Sequence, residues 1–229
     1  MADAKIKLLA IERLRMTTDG DGVTTLICGM GCPLRCRFCI NPASWDGSFG
    51  GKELTKEELY ESVKMDSLYY ITTGGGLMFG GGEPLLQSEF LKDFMGTYQS
   101  SGWNFYLESS LNVPRKNLDD VIPYINEYVI DTKDMDEERY VRYTGGDYKR
   151  FFDNLMYLKE QVGEEKIVLR IPTIPFLHES GKEAEENAEK LKKLGFTRFD
   201  FLTYVNPGNR KDISETARKN IETLAVRKE

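Results

Sequence analysis

Three cysteines fall within eight residues, Cys32-x3-Cys36-x2-Cys39, inside the run GMGCPLRCRFCINP. Thiolates this close along a chain can face one metal centre. Gly31, Pro33 and Pro42 make the segment too rich in turns to bury them as ordinary core residues. Soft thiolate ligands suit zinc or an iron–sulfur cluster. Cubane clusters normally take four cysteines, and this group supplies three. A centre lacking one protein ligand keeps an open position, which marks catalytic rather than structural metal sites.

The remaining cysteine, Cys28, lies in the apolar stretch TTLIC, which reads as a buried strand. Free cysteine in such a setting behaves as a small hydrophobe, so Cys28 is read as packing rather than as a ligand. A four-cysteine zinc knuckle and a disulfide pair are the plain alternatives. Zinc motifs usually arrive as two separated pairs, and here there is one cluster. A disulfide framework belongs to short secreted chains, whereas this one has 229 residues and no signal-peptide pattern at its start. An open iron–sulfur site accounts for the spacing better than either.

The elements that must position these cysteines follow from the hydrophobic pattern. Six β-rich runs, at 24–28, 77–81, 104–109, 128–133, 166–173 and 199–205, alternate with helical runs at 55–66, 88–100, 115–125, 150–161 and 182–194. A last helical run at 213–226 closes the chain. Tyr148, Phe151, Leu155 and Leu158 form one helical stripe of core residues. Strand–helix alternation means a parallel sheet with right-handed crossovers. Six units are too few for a closed eight-stranded barrel, so the expectation is an α/β fold: an open (β/α)6 partial TIM barrel, one domain over 1–229.

At 40% hydrophobic and 30% charged residues the composition is that of an ordinary globular protein large enough for one full core. The net charge of −6 argues against a nonspecific nucleic-acid surface. No apolar run reaches the length of a membrane span. A cytoplasmic, reducing compartment is expected, and it suits thiolate ligands.

Parallel α/β folds bind ligands at the carboxyl ends of their strands. The cysteine cluster directly follows the first of the six runs. After the second comes Gly80-Gly81-Gly82-Glu83-Pro84, with glycines that let a ligand approach the backbone and a carboxylate able to accept from an ammonium group. The third ends in Glu108-Ser109-Ser110, the fourth in Asp131-Thr132-Lys133, and the fifth carries Arg170. Acidic groups there can hold ribose hydroxyls or a cation, and Lys133 and Arg170 a carboxylate. The glycines at 74–76 read as a tight turn, since no phosphate-loop pattern accompanies them. His178, the only histidine, reads as a loop residue.

Taken together, Cys-x3-Cys-x2-Cys with Phe38 before the last cysteine, and GGE after the next strand, resemble the radical S-adenosylmethionine (SAM) superfamily. Within it the likeness is to activating enzymes of glycyl-radical enzymes, of the pyruvate formate-lyase activase type. Four stretches carry it: CPLRCRFCINPASWD, TTGGGLMFGGGEPLLQ, YVIDTKDMDEERYVRYTGG and RIPTIP. The resemblance implies a [4Fe–4S] cluster held by Cys32, Cys36 and Cys39, with SAM chelating the fourth iron. It implies that Gly81, Gly82 and Glu83 meet the methionine amino group and that the Phe38–Ile40 backbone lies against adenine. Asp131, Thr132, Lys133 and Arg170 fall among the SAM contacts, and Glu108 and Ser109 where the family has a carboxylate and hydroxyl beside a monovalent cation.

The activity implied is reductive cleavage of SAM to methionine and a 5′-deoxyadenosyl radical, which installs a glycyl radical on a large partner enzyme. An electron donor such as flavodoxin or ferredoxin is implied, with no nucleic-acid or membrane partner. Departures from the pattern bear on the substrate: Glu108-Ser109-Ser110-Leu111 replaces DTNG, and Val205 stands where the family has a histidine. Two other readings stay open: hydrogen abstraction from a small molecule or peptide, as in carboxy-deazaguanine synthases or peptide-modifying enzymes, and a noncatalytic iron–sulfur or zinc protein.

Overall fold

A computed structural model of the chain describes residues 4–16, 19–45, 50–175, 177–178 and 180–204. Val205, Asp46 and the helical run at 213–226 lie outside the described residues.

Six parallel strands form the frame: β2 (Val23–Gly29), β4 (Gly76–Gly81), β5 (Asn104–Ser109), β6 (Glu127–Asp131), β7 (Ile167–Thr173) and β8 (Phe199–Thr203). They adjoin in chain order, as a partial barrel requires. Among the described residues the sheet has eight strands, however, because β1 (Ile6–Met16) and β3 (Lys52–Leu54) add an antiparallel pair beside β2. Only part of β1 is buried and its second half carries Glu12, Arg13 and Arg15, so it lacks the continuous apolar run of a strand covered on both faces.

The helices α1 (Lys56–Val63), α3 (Ser88–Tyr98), α4 (Arg115–Asp119), α6 (Tyr148–Val162) and α7 (Glu183–Lys193) fall in the expected runs. The first is set by a capping box between Thr55 and Glu58. Two more, α2 (Ser67–Thr73) and α5 (Glu137–Thr144), were not legible as helices. The sequence SLYYITT is aromatic and β-branched, and EERYVRYT has few apolar positions. Each stops at a glycine in the left-handed region, Gly74 and Gly145. The turn expected at 74–76 is present, and its glycines are required. A side chain at Gly76 would meet the Asn104 carbonyl oxygen at 1.9 Å.

Alternation along the strands sorts the side chains into two faces. Ile27, Leu77, Phe79, Phe105, Leu107, Tyr128, Ile130, Leu169 and Ile171 join the main core with the helices, including Phe151, Leu155 and Leu158 of the predicted stripe. On the other face Leu26, Cys28, Met78, Tyr106 and Val129 form a separate cluster. Continuing that parity toward the carboxyl ends brings Gly80, Glu108, Asp131, Arg170 and Asp200 to the same concave face. Among the described residues no helix is long and apolar enough to cross a membrane.

Candidate active site at the carboxyl ends of the strands

The loop after β2 carries the three cysteines and is stapled on every side. Gly31 N–H donates to the Ser44 carbonyl at 2.6 Å and closes the loop on itself. Glu83 N–H donates to the Gly31 carbonyl at 2.7 Å, and Gly82 N–H to the Gly29 carbonyl at 3.1 Å. On the far side, Arg35 and Arg37 N–H groups donate to the carbonyls of Thr144 and Tyr143 at the end of α5. The unanticipated helix α5 is therefore one wall of the site. Gly82 cannot be replaced there: a Cβ would lie 2.3 Å from the Gly31 carbonyl oxygen.

Cys36 packs with Leu34, Phe38, Tyr143 and Ile174 in a small apolar cluster, and Cys32 and Cys39 lie against it with Leu177 and Tyr204. Cys28 belongs to the barrel interior instead, 4% exposed. The structure thus gathers the three motif cysteines and leaves Cys28 apart. Burial pushes the Cys32 thiol up to about 12, helped by the negative charge of Glu83. Cys36 rises to about 11 by burial, opposed by Lys133. Burial also raises Cys39.

Desolvated thiols of this kind stay protonated until a metal displaces the proton. A zinc site needs every sulfur about 2.3 Å from one ion. Among the described residues no group of three His, Cys, Asp or Glu side chains is already arranged around a single-ion position. Soft donors, an apolar wall and a nearby cation fit an iron–sulfur group.

Across the mouth, Lys133 Nζ lies 2.7 Å from Asp131 Oδ2 and 5.6 Å from the centre of the Phe38 ring. Lys133 sits at φ 56°, an unusual conformation for a side-chain-bearing residue, which follows the end of β6. Arg170 Nη1 lies 3.2 Å from Glu108 Oε1, and its Nε lies 2.9 Å from Asp200 Oδ2. Asp200 was not anticipated; only its register beside Arg170 on β8 reveals it. Phe38 is buried, edge-on to the Tyr204 ring, whereas Ile40 is 58% exposed.

Three of the expected site residues are engaged by their neighbours. Glu83 is fully buried, and Ser109 Oγ, Leu85 N–H, Ser110 N–H and Ser110 Oγ all donate to it. A carboxylate has about four acceptor positions, and these donors fill them. Burial pushes its carboxyl up, and the serine donors oppose that rise. Thr132 is likewise withdrawn, giving both N–H and hydroxyl to the Arg170 carbonyl at 3.1 and 3.0 Å. Ser109 Oγ donates to Glu83 at 2.8 Å and accepts from Leu111 N–H at 2.9 Å, so its hydroxyl does not face the mouth.

His178 stays in the loop after β7, where its Nδ1 accepts from Ile174 N–H at 3.2 Å. Its imidazole therefore ties the loop to itself.

Fold and site together define a class: a partial barrel whose open end carries a three-cysteine loop. The radical SAM superfamily pattern matches residues 26–180, and the chain belongs to that superfamily. Membership implies a [4Fe–4S] cluster and SAM. Among similar proteins, the pyruvate formate-lyase-activating enzyme of Clostridium pasteurianum is 32% identical over 88% of this chain and 83% of its own length. The (2S)-3-sulfopropanediol dehydratase activating enzyme of Klebsiella oxytoca is 35% identical over 84% of this chain and 80% of its own. The protein is thus a radical SAM enzyme whose relatives are activating enzymes. In fold it is similar to Streptococcus suis SuiB bound to precursor peptide SuiA, with TM-score 0.62 and 13% identity over 88% of this chain. The chain spans 44% of the length of SuiB.

Proposed function

We propose that this chain is an activating enzyme that installs a glycyl radical on a large partner enzyme by hydrogen abstraction. The observation that carries the reading is the convergence of Cys32, Cys36 and Cys39 on one apolar cluster, facing Lys133 and Asp131 across the strand ends. The likeness to relatives named as activating enzymes supports the choice of partner.

Cys32, Cys36 and Cys39 would hold the [4Fe–4S] cluster. When bound, cluster and SAM supply one-electron cleavage of the sulfonium, yielding methionine and a 5′-deoxyadenosyl radical. The protein's own part is binding, orientation and exclusion of water. Lys133, with its head held by Asp131, offers an ammonium to a carboxylate. Gly81 and Gly82 offer bare backbone to the methionine end. Phe38, wedged against Tyr204, fixes the 38–40 segment against which adenine would lie. The apolar wall of Leu34, Tyr143 and Ile174 keeps water from the reacting centre.

The whole chain would act as one radical SAM core without an auxiliary cluster, in the reducing cytoplasm, taking its electron from a flavodoxin or ferredoxin. The test is anaerobic reconstitution, reduction with dithionite and assay for 5′-deoxyadenosine. A protein with an intact cluster that makes none is not a radical SAM catalyst. A glycyl-radical EPR doublet on mixing with a candidate partner supports the activating role. 5′-Deoxyadenosine turnover driven by a small molecule or a peptide, with no such doublet, overturns it.

A further inference from the structure

The mouth contains a charged arrangement that the cysteine chemistry does not use. Glu108 from β5, Arg170 from β7 and Asp200 from β8 form a chain in which one guanidinium bridges two carboxylates on different strands, at 3.2 and 2.9 Å. Arg170 keeps 13% of its side-chain surface and Glu108 25%, so this is a fixed, half-dry pair rather than a solvated one. Gly80 lies beneath it without a side chain, and a Cβ added there would lie 3.3 Å from Glu108 Cβ.

The family resemblance assigns this corner a monovalent cation held by a carboxylate and a hydroxyl. The residues present do not fit one. The Ser109 hydroxyl is buried, with its proton on Glu83 and its lone pair on Leu111 N–H. The Glu108 carboxylate is already paired with Arg170.

We propose that Arg170 supplies in this chain the fixed positive charge that the resemblance gives to a monovalent cation, and that Asp200 is the residue that positions it. The inference rests on the reading of this mouth as a SAM site. Arg170 binds; Asp200 acts through it, by holding Nε so that Nη1 stays on Glu108.

The test is equilibrium binding of SAM to the anaerobically reconstituted protein, in buffers whose cation is potassium or the bulky N-methylglucamine. The wild type is expected to bind with the same affinity in both, within about twofold. Binding that weakens more than about tenfold without potassium overturns the proposal and leaves the SAM reading intact. Absence of binding in either buffer overturns that reading as well. Arg170→Met should bind about tenfold more weakly in N-methylglucamine and recover with potassium. A variant as indifferent to potassium as the wild type defeats the proposal.

Should that variant not fold, Asp200→Asn, at a position 44% exposed, carries the test. Its KM for SAM should rise about threefold at unchanged kcat, and Asp200→Glu should restore it. Equal KM values for wild type and Asp200→Asn dismiss the positioning role.

Discussion

Ser110 gives both its backbone N–H, at 2.9 Å, and its hydroxyl, at 2.6 Å, to the same carboxylate oxygen of Glu83. That pair ties the glycine turn after β4 to the end of β5, two segments separated by 26 residues at Ser109 and 27 at Ser110. Glu83→Gln would turn an amide group toward donors already pointing inward. The variant should lose about 2 kcal/mol of stability, the scale for leaving buried donors unpaired. Urea denaturation measures it, and a change below about 0.5 kcal/mol would show that the clamp contributes nothing.

The thiols divide by location. Cys36→Ala should lose the cluster, seen as loss of bound iron and of its visible absorption. Cys28→Ala should keep both and lose about 1 kcal/mol of stability through a small cavity in the barrel interior. Iron loss in the Cys28 variant would overturn the assignment of ligands.

Lys133 is expected to act on binding rather than on folding alone. Lys133→Met removes the cation that Asp131 holds at 2.7 Å. SAM affinity should fall about tenfold or more, with iron content unchanged. Equal SAM affinity in the two proteins would remove Lys133 from the site.

Helix α5 gives a pH-dependent handle on the site wall. Asp136 caps it, accepting from Arg139 N–H at 3.0 Å, and this backbone bond holds the Asp136 carboxyl below its ordinary value. A carboxyl lowered on folding stabilises above its unfolded pKa of about 3.9, and the stabilisation is lost as pH falls through the lower folded value. Asp136→Ala should therefore cost about 1 kcal/mol at pH 7. The difference from wild type should vanish in strong acid; a difference unchanged by pH would mean that the charge plays no part.

The parallel strands were legible because both faces are covered, so each reads as an unbroken apolar run bounded by turns. β1 was not, since its charged half at Glu12, Arg13 and Arg15 breaks the pattern. α2 and α5 were hidden for opposite reasons, one too β-branched and the other too polar. In the site, the cysteines were legible from spacing alone. The hydrogen-bond partners of Glu83, Ser109 and Thr132 were not legible, because their residue types advertise free donors and acceptors while their partners come from other strands.

By itself the sequence determined that Cys32, Cys36 and Cys39 fall together in one short loop, and that six parallel strands would frame the rim where that loop lies. Ligand spacing and hydrophobic period are local properties, complete within a few residues of chain. Only the tertiary structure decided which polar groups remain free to act. Glu83 is consumed by Ser109 and Ser110, and Arg170 is drawn between Glu108 and Asp200. A hydrogen-bonding group has a small, fixed capacity, and what fills it depends on which strands become neighbours.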